Sequence, residues 1–166
     1  MMLDTVERRY IIFSALMVLT FGLIVIISST AFSINLVSPA SQIDPKTMAT
    51  PGGSAYDGFA EAPENRVREL APGQYEVYLI GYATKGWKWE PEEIRVPAGS
   101  EVTFYVTSGD VTHGLRVFDT NINVMVLPGY VSRITARFDE PRTYTFVCHE
   151  YCGILHHKMA GQIIVE

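Results

Sequence analysis

Cys148-His149-Glu150-Tyr151-Cys152-Gly153-Ile154-Leu155-His156-His157-Lys158-Met159 gathers most of the chain's metal-binding side chains into one short run. The run holds both cysteines, three of the four histidines and one of the six methionines. Thiolate, imidazole and thioether together make a soft donor set, and copper is the metal such a set favours. Cys148, Cys152, His156 and Met159 succeed one another at short spacings, so a single loop can wrap them around one point. The remaining histidine, His113, lies 35 positions before Cys148. A mononuclear blue-copper site takes one Cys, two His and a weak axial Met, which leaves one cysteine over. The economical arrangement is two copper ions bridged by both thiolates, one capped by His113 and the other by His156. Met159 is then a weak ligand to one ion, and a backbone carbonyl from inside the Cys148–Cys152 loop serves the other. Glu150, midway between the cysteines, is the residue placed to give that carbonyl. Two other readings stand beside this one. A disulfide is the default for two cysteines in an exported domain, but it leaves His113, His156 and Met159 without a role. Zinc accepts two Cys and two His, but Met is a poor ligand for it.

The elements that must position these residues read as short strands. Gln74 to Ile80 is β-rich, and Glu101 to Thr107 has apolar side chains at its even positions. Gly114 to Phe118, Asn123 to Leu127, Tyr130 to Phe138, Thr143 to Val147 and Gln162 to Val165 continue the pattern between turns. About eight strands at turn spacings of roughly 8–12 residues predict an antiparallel β-sandwich. Cys148 comes directly after the strand ending at Val147, while His113 begins a separate strand.

The N-terminal part is of another kind. No charged side chain occurs between Tyr10 and Ile43, and Ile11 to Ile27 is apolar on every face. About 20 such residues cross a bilayer as helix. A secretory signal competes, since Arg8 and Arg9 precede the run and Ala31-Phe32-Ser33 loosely resembles a cleavage site. The run exceeds the ~7–15 residues of a signal core, and it is read here as a retained anchor. Either way the N-terminus stays cytoplasmic, and the residues C-terminal to the apolar run are exported. Residues 38–72 carry turn and breaker clusters such as Thr50-Pro51-Gly52-Gly53-Ser54 and read as a tether, with a short helix over Glu61 to Leu70. The expected organisation is thus residues 1–9 cytoplasmic, 10–33 transmembrane, 34–72 tether and 73–166 metal domain. A net charge of −5 argues against a nucleic-acid partner.

The pattern Cys-x-Glu-x-Cys-Gly-x-x-His-x-x-Met after a strand, with Asp110-Val111-Thr112-His113 upstream, resembles the dinuclear copper (CuA) domain of cytochrome c oxidase subunit II. Val96-Pro97-Ala98-Gly99, Asn121-Ile122-Asn123-Val124 and Leu127-Pro128-Gly129 extend the likeness across residues 73–166. The resemblance implies an all-β cupredoxin-like Greek-key β-sandwich behind one N-terminal transmembrane α-helix. It implies copper ligation by His113, Cys148, the Glu150 carbonyl, Cys152, His156 and Met159. Electrons would come from an exported cytochrome c or blue-copper donor and pass to haem in subunit I for oxygen reduction coupled to proton translocation. A single anchor resembles the B-type (ba-type) haem-copper oxidases of some prokaryotes, in which a small single-helix subunit can supply a second helix in the cell membrane. His149 departs from the family, which usually has a small polar residue there; it is expected at the surface or just behind the ligands, or else as a competitor for copper.

Other residues have competing readings. Trp87 and Trp89, on a predicted loop before Pro91, are either electron-input residues over the copper site or simple packing. Glu7 either balances Arg8 and Arg9 or, by the resemblance, marks the cytoplasmic mouth of a proton path. Arg133 and Arg137 are expected on a solvated face, Met48 in the linker, Met125 in the packing and His157 in solvent. The rival functions are the copper subunit of a nitric oxide reductase, a membrane-anchored copper-delivery or thioredoxin-like protein, and an anchored blue-copper carrier. A thioredoxin-like protein carries its cysteine pair early, at a helix start, with the histidine downstream; here that order is reversed.

Overall fold

A computed structural model describes residues 4–31 and 38–166. The chain divides into two compact units, Met1–Ile34 and Asn35–Glu166. In the first, helix α1 runs over Thr5–Ala31 and has no buried residue. Its 27 residues span roughly 40 Å at 1.5 Å each, enough for a hydrocarbon core of ~30 Å. Its start carries one half of a capping box, the N3 carboxylate bonded to the N-cap N–H. The Asp4 carboxylate accepts the Thr5 N–H at 2.6 Å, and the Glu7 carboxylate reaches back to the Asp4 N–H at 3.2 Å. The helix therefore starts before the expected boundary at residue 10 and takes in Arg8 and Arg9. Local capping outweighs the change from charged to apolar residues that set the expectation. Near the other end the Thr30 hydroxyl bonds the carbonyls of Ile26 and Ile27. Phe32 and Ser33 of the cleavage-like triplet lie outside the described residues.

The second unit is a two-sheet sandwich. Its strands are β1 (Ser38–Gln42), β2 (Val67–Ala71), β3 (Gln74–Tyr82), β4 (Lys88–Glu90), β5 (Glu93–Val96), β6 (Ser100–Ser108), β7 (His113–Val117), β8 (Asn123–Val126), β9 (Tyr130–Phe138), β10 (Thr143–Cys148) and β11 (Ala160–Val165). One sheet has the order β1-β9-β6-β3-β2 with β4 also on β3; the other has the order β5-β11-β10-β7-β8. Alternation decides the inner face: Val102, Phe104 and Val106 of β6 are buried. They share one core with Val77, Leu79 and Trp89 and with Leu115, Val117, Val124, Phe146 and Ile163 of the facing sheet. Two pairings are parallel, β3 with β6 and β5 with β11, so the sandwich is mixed rather than antiparallel. Strand alternation carries no information on the direction of a partner.

The segment expected as a tether is part of the fold. β1 pairs with β9, and Ile43, Met48 and Phe59 are buried against Tyr78, Ile80, Tyr82 and Val131. These residues cover the outer face of β3, and the Phe59 ring meets Tyr78 edge-on at 5.3 Å. Gly58 fits because a Cβ there would fall 2.3 Å from the Tyr78 ring. Three large anchors spread over seventeen residues show no period, which is why the layer reads as a linker. Met48 is accordingly a core residue and not a linker residue. The helix expected over Glu61 to Leu70 is instead a single 3-10 turn, Pro63–Asn65, followed by β2. A lone helical turn is costly to nucleate, whereas β2 gains a ladder on β3 and Arg68 ion pairs with Asp57 at 3.1 Å and Glu61 at 3.2 Å. Arg133 and Arg137 are exposed on β9 as expected.

Truncation of a buried Phe to Ala typically costs about 3–5 kcal/mol. Phe59→Ala should therefore lower unfolding stability by that amount, matching Phe104→Ala in the main core. Denaturant unfolding of the two variants makes the comparison; a loss of under about 0.5 kcal/mol, the surface value, would return residues 43–59 to the linker class.

Candidate metal centre

Three neighbouring strands of one sheet deliver the donors. His113 opens β7, Cys148 closes β10, and Met159 sits immediately before β11. The loop between Cys148 and Met159 is tied back by backbone bonds. The Cys148 N–H donates to the Met159 carbonyl at 2.9 Å, and the His149 N–H to the Gly114 carbonyl at 2.9 Å. Inside the loop, the His156 N–H donates to the Gly153 carbonyl at 3.1 Å and opens the 3-10 turn His156–Lys158.

The side chains converge on one point. The two Sγ atoms are 3.8 Å apart, well beyond the ~2.05 Å of a disulfide. Cys148 Sγ lies 3.7 Å from His113 Nδ1 and 3.2 Å from the Glu150 carbonyl oxygen. Cys152 Sγ lies 3.5 Å from His156 Nδ1 and 3.8 Å from Met159 Sδ. His113 is wholly buried, Cys148, Cys152 and Met159 are nearly so, and His156 is half-buried. The Glu150 carboxylate turns toward His149 Nδ1, at 3.6 Å.

Asp110, legible in the sequence only as part of a motif, holds the buried histidine. Its Oδ1 lies 3.0 Å from His113 Nε2 and also accepts the Val111 N–H at 2.7 Å. Its Oδ2 accepts the Ala83 N–H at 2.8 Å, the Thr84 N–H at 2.7 Å and the Thr84 hydroxyl at 2.8 Å. The signal for this role is an Asp three residues before a ligand-type His. With Nε2–H given to the carboxylate, Nδ1 keeps its lone pair toward the sulfurs. Burial alone would raise the Asp110 carboxyl, but the Thr84 N–H, His113 and Val111 hydrogen bonds hold it below the usual range. Burial disfavours a charged His113, yet its bonds to Cys148 and Asp110 lift it above the ordinary imidazole.

The two thiols are driven apart. Burial raises Cys152, and the neighbouring Cys148 charge raises it further, to about 12. At Cys148 burial is outweighed by hydrogen bonds to His113 and to the backbone at Gly114, so this thiol lies below its ordinary value. Two thiolates so close in a dry site need positive charge between them, and the surrounding imidazole, thioether and carbonyl donors are those copper accepts. The residues therefore fit the metal.

The tryptophans separate. Trp89 is completely buried, with its ring 5.9 Å from the His113 ring, and so is a core residue. Trp87 is half-buried, takes φ +55, and donates its Nε1–H to the Cys152 carbonyl at 3.3 Å. Its indole seats on Gly153, where a Cβ would fall 2.9 Å from Nε1. Trp89 lies on a strand, β4, where a loop was expected. His149 and His157 are exposed.

Comparison with known proteins decides the family. The family model of the periplasmic domain of cytochrome c oxidase subunit II matches residues 89–166. Cytochrome c oxidase subunit 2 of Thermus thermophilus is 35% identical over 163 residues, spanning 96% of this chain and 91% of that one. The chain belongs to the cytochrome c oxidase subunit II family. A chain from the cryo-EM structure of a haem-copper terminal oxidase dimer superposes with a TM-score of 0.71 at 28% identity, over 97% of this chain and 99% of that one. Nitrous-oxide reductase of Stutzerimonas stutzeri is 33% identical over 79 residues, 45% of this chain but 12% of that protein. As a subunit II family member with one long apolar helix among the described residues, the chain is membrane-anchored.

Partners that orient a ligating histidine are worth 10–100-fold in metal affinity. Asp110→Asn should weaken copper retention against a chelator by about that factor, with little change in secondary structure. Unchanged retention would remove Asp110 from the centre.

Proposed function

We propose that the chain is the electron-input subunit of a terminal oxidase, with a dinuclear copper centre (CuA) held by His113, Cys148, the Glu150 carbonyl, Cys152, His156 and Met159. The observation that carries this reading is the pair of thiols 3.8 Å apart, each facing an imidazole of its own. When bound, the copper pair supplies one-electron chemistry spread over two ions and both sulfurs. Asp110 fixes the His113 ring, and the strand ends fix the sulfurs, so ligand positions change little as charge comes and goes. Trp87 lies over the loop with its N–H on a ligand residue's carbonyl, which makes it the better of the two tryptophans for electron input. Tyr151 and Ile154, 78% and 82% exposed in the same loop, offer apolar contact to an exported cytochrome c or blue-copper donor.

The chain itself does not reduce oxygen in this reading. Electrons pass to haem in subunit I, where oxygen reduction is coupled to proton translocation, and a small single-helix subunit can complete the membrane part. Arg8 and Arg9 favour an N-terminus in the cytoplasm, with the copper domain on the outer face of a prokaryotic cell membrane. Glu7 sits at the cytoplasmic end, where its carboxylate caps α1; a proton-path role would use the same group.

The test is electron paramagnetic resonance of the full chain, copper-loaded in detergent. One unpaired electron shared by two equivalent copper nuclei is expected, and a single-copper hyperfine pattern would sink the proposal. Trp87→Ala should slow electron uptake from a reduced c-type cytochrome by about tenfold or more (~1.4 kcal/mol of barrier) at unchanged copper content. Equal uptake rates would remove Trp87 from the route.

A further inference from the structure

The outer face of the sheet that carries the ligands holds a second group of soft donors. Val124 and Val126 of β8 point into the core, so Met125 between them points outward and is 50% exposed, contrary to the packing role expected for it. Met125 is the direct cross-strand partner of Gly114 on β7. Opposite residues of an antiparallel pair project to the same face, with Cβ atoms roughly 4.5–5.5 Å apart. Gly114 has no side chain, and the His149 ring takes its place. Cε1 and Nε2 of His149 both lie 2.6 Å from where a Gly114 Cβ would stand, with Glu150 Cγ at 2.9 Å. The His149 N–H, bonded to the Gly114 carbonyl, seats the ring there. Glu150 Oε1 approaches the other ring nitrogen, Nδ1, at 3.6 Å. The flexible thioether of Met125 and the Nε2 edge of the part-exposed His149 imidazole thus share the face over Gly114.

Thioether and imidazole side by side suit Cu(I) and poorly suit zinc or hard cations. The place is equally informative. Gly114, the cross-strand partner of Met125, is next to His113, and His149 is next to Cys148, so the outer pair borders the backbone that carries two buried donors. Those donors are almost closed to solvent, and an incoming ion needs an exposed first station. We propose that Met125 and His149 form a surface Cu(I) site that receives copper and hands it inward to Cys148 and His113. The transfer is a ligand exchange: Cu(I) leaves the thioether and the outer imidazole, the Cys148 thiol releases its proton to water, and no electron moves. The inference rests on the copper reading of the buried cluster.

The test uses the full chain in detergent, reduced and free of oxygen, with Cu(I) supplied from a chromophoric chelator. The C148S/C152S chain should still bind one Cu(I), with a shift of the Met125 methyl resonance, and adding M125L should weaken binding about tenfold or more. With both cysteines present, M125L and H149Q should bring the buried centre to the same final copper content as in the unsubstituted chain but fill it about tenfold more slowly. No Cu(I) on the double-serine chain, or binding indifferent to M125L, overturns the proposal. If that variant fails to fold, the filling rates decide: equal rates in M125L, H149Q and the unsubstituted chain overturn it. An unsubstituted chain that never holds two coppers defeats the dinuclear reading instead, a result read separately from the outer site.

Discussion

Two sulfur atoms held 3.8 Å apart in a nearly dry site are the constraint on which the rest depends. As thiolates they would repel by about 4 kcal/mol at an effective dielectric of 20. Burial first and the neighbouring Cys148 charge second push Cys152 up to about 12, while hydrogen bonds to His113 and the Gly114 backbone hold Cys148 below its ordinary value. Holding both sulfurs in place as copper donors takes a frame that does not relax away. The frame is the end of one sheet, where β7, β10 and β11 lie side by side and the loop is stitched back to the Met159 and Gly114 backbones.

Stiffness around the site comes from layers on both sides. Asp110 joins the start of β7 to Ala83 and Thr84 beyond the end of β3. β3 is itself buried on both faces, by the main core on one and by Ile43, Met48 and Phe59 on the other. Trp89 fills the space behind His113, and Gly81 permits it, since a Cβ there would fall 3.0 Å from the imidazole and 3.1 Å from the indole. The segment whose local pattern suggests a tether therefore supports the strand that supports the histidine clamp. For an electron-transfer centre such rigidity is useful, because ligands that stay put limit the reorganisation accompanying each charge change.

Much of this is legible because it is local. The soft donors and their spacing, the uninterrupted apolar run of α1 and the two-residue alternation of β6, β9 and β10 are properties of consecutive residues. Alternation reveals that a strand exists, as at Val102, Phe104 and Val106, but not which way it runs, and the parallel β3–β6 and β5–β11 pairs leave no local mark. Even the covering layer has a trace: Tyr78, Ile80 and Tyr82 put large apolar groups on the face of β3 that solvent would otherwise meet.

By itself, then, the sequence determined which chemistry is available, since donor type and spacing are covalent facts, and which stretch suits a bilayer, since solvation tracks composition. Tertiary structure decided which side chains meet. It buried Trp89 and left Trp87 over the ligand loop, because a left-handed turn at Trp87 precedes β4, whose middle residue, Trp89, points inward. It turned Asp110 onto His113, folded residues 43–59 over Tyr78, and put Met125 opposite the Gly114 over which the His149 ring lies. Apart from the Asp110–His113 bond, which spans three residues, these depend on contact between separate elements, and local periodicity carries no record of the distant surface that covers a face.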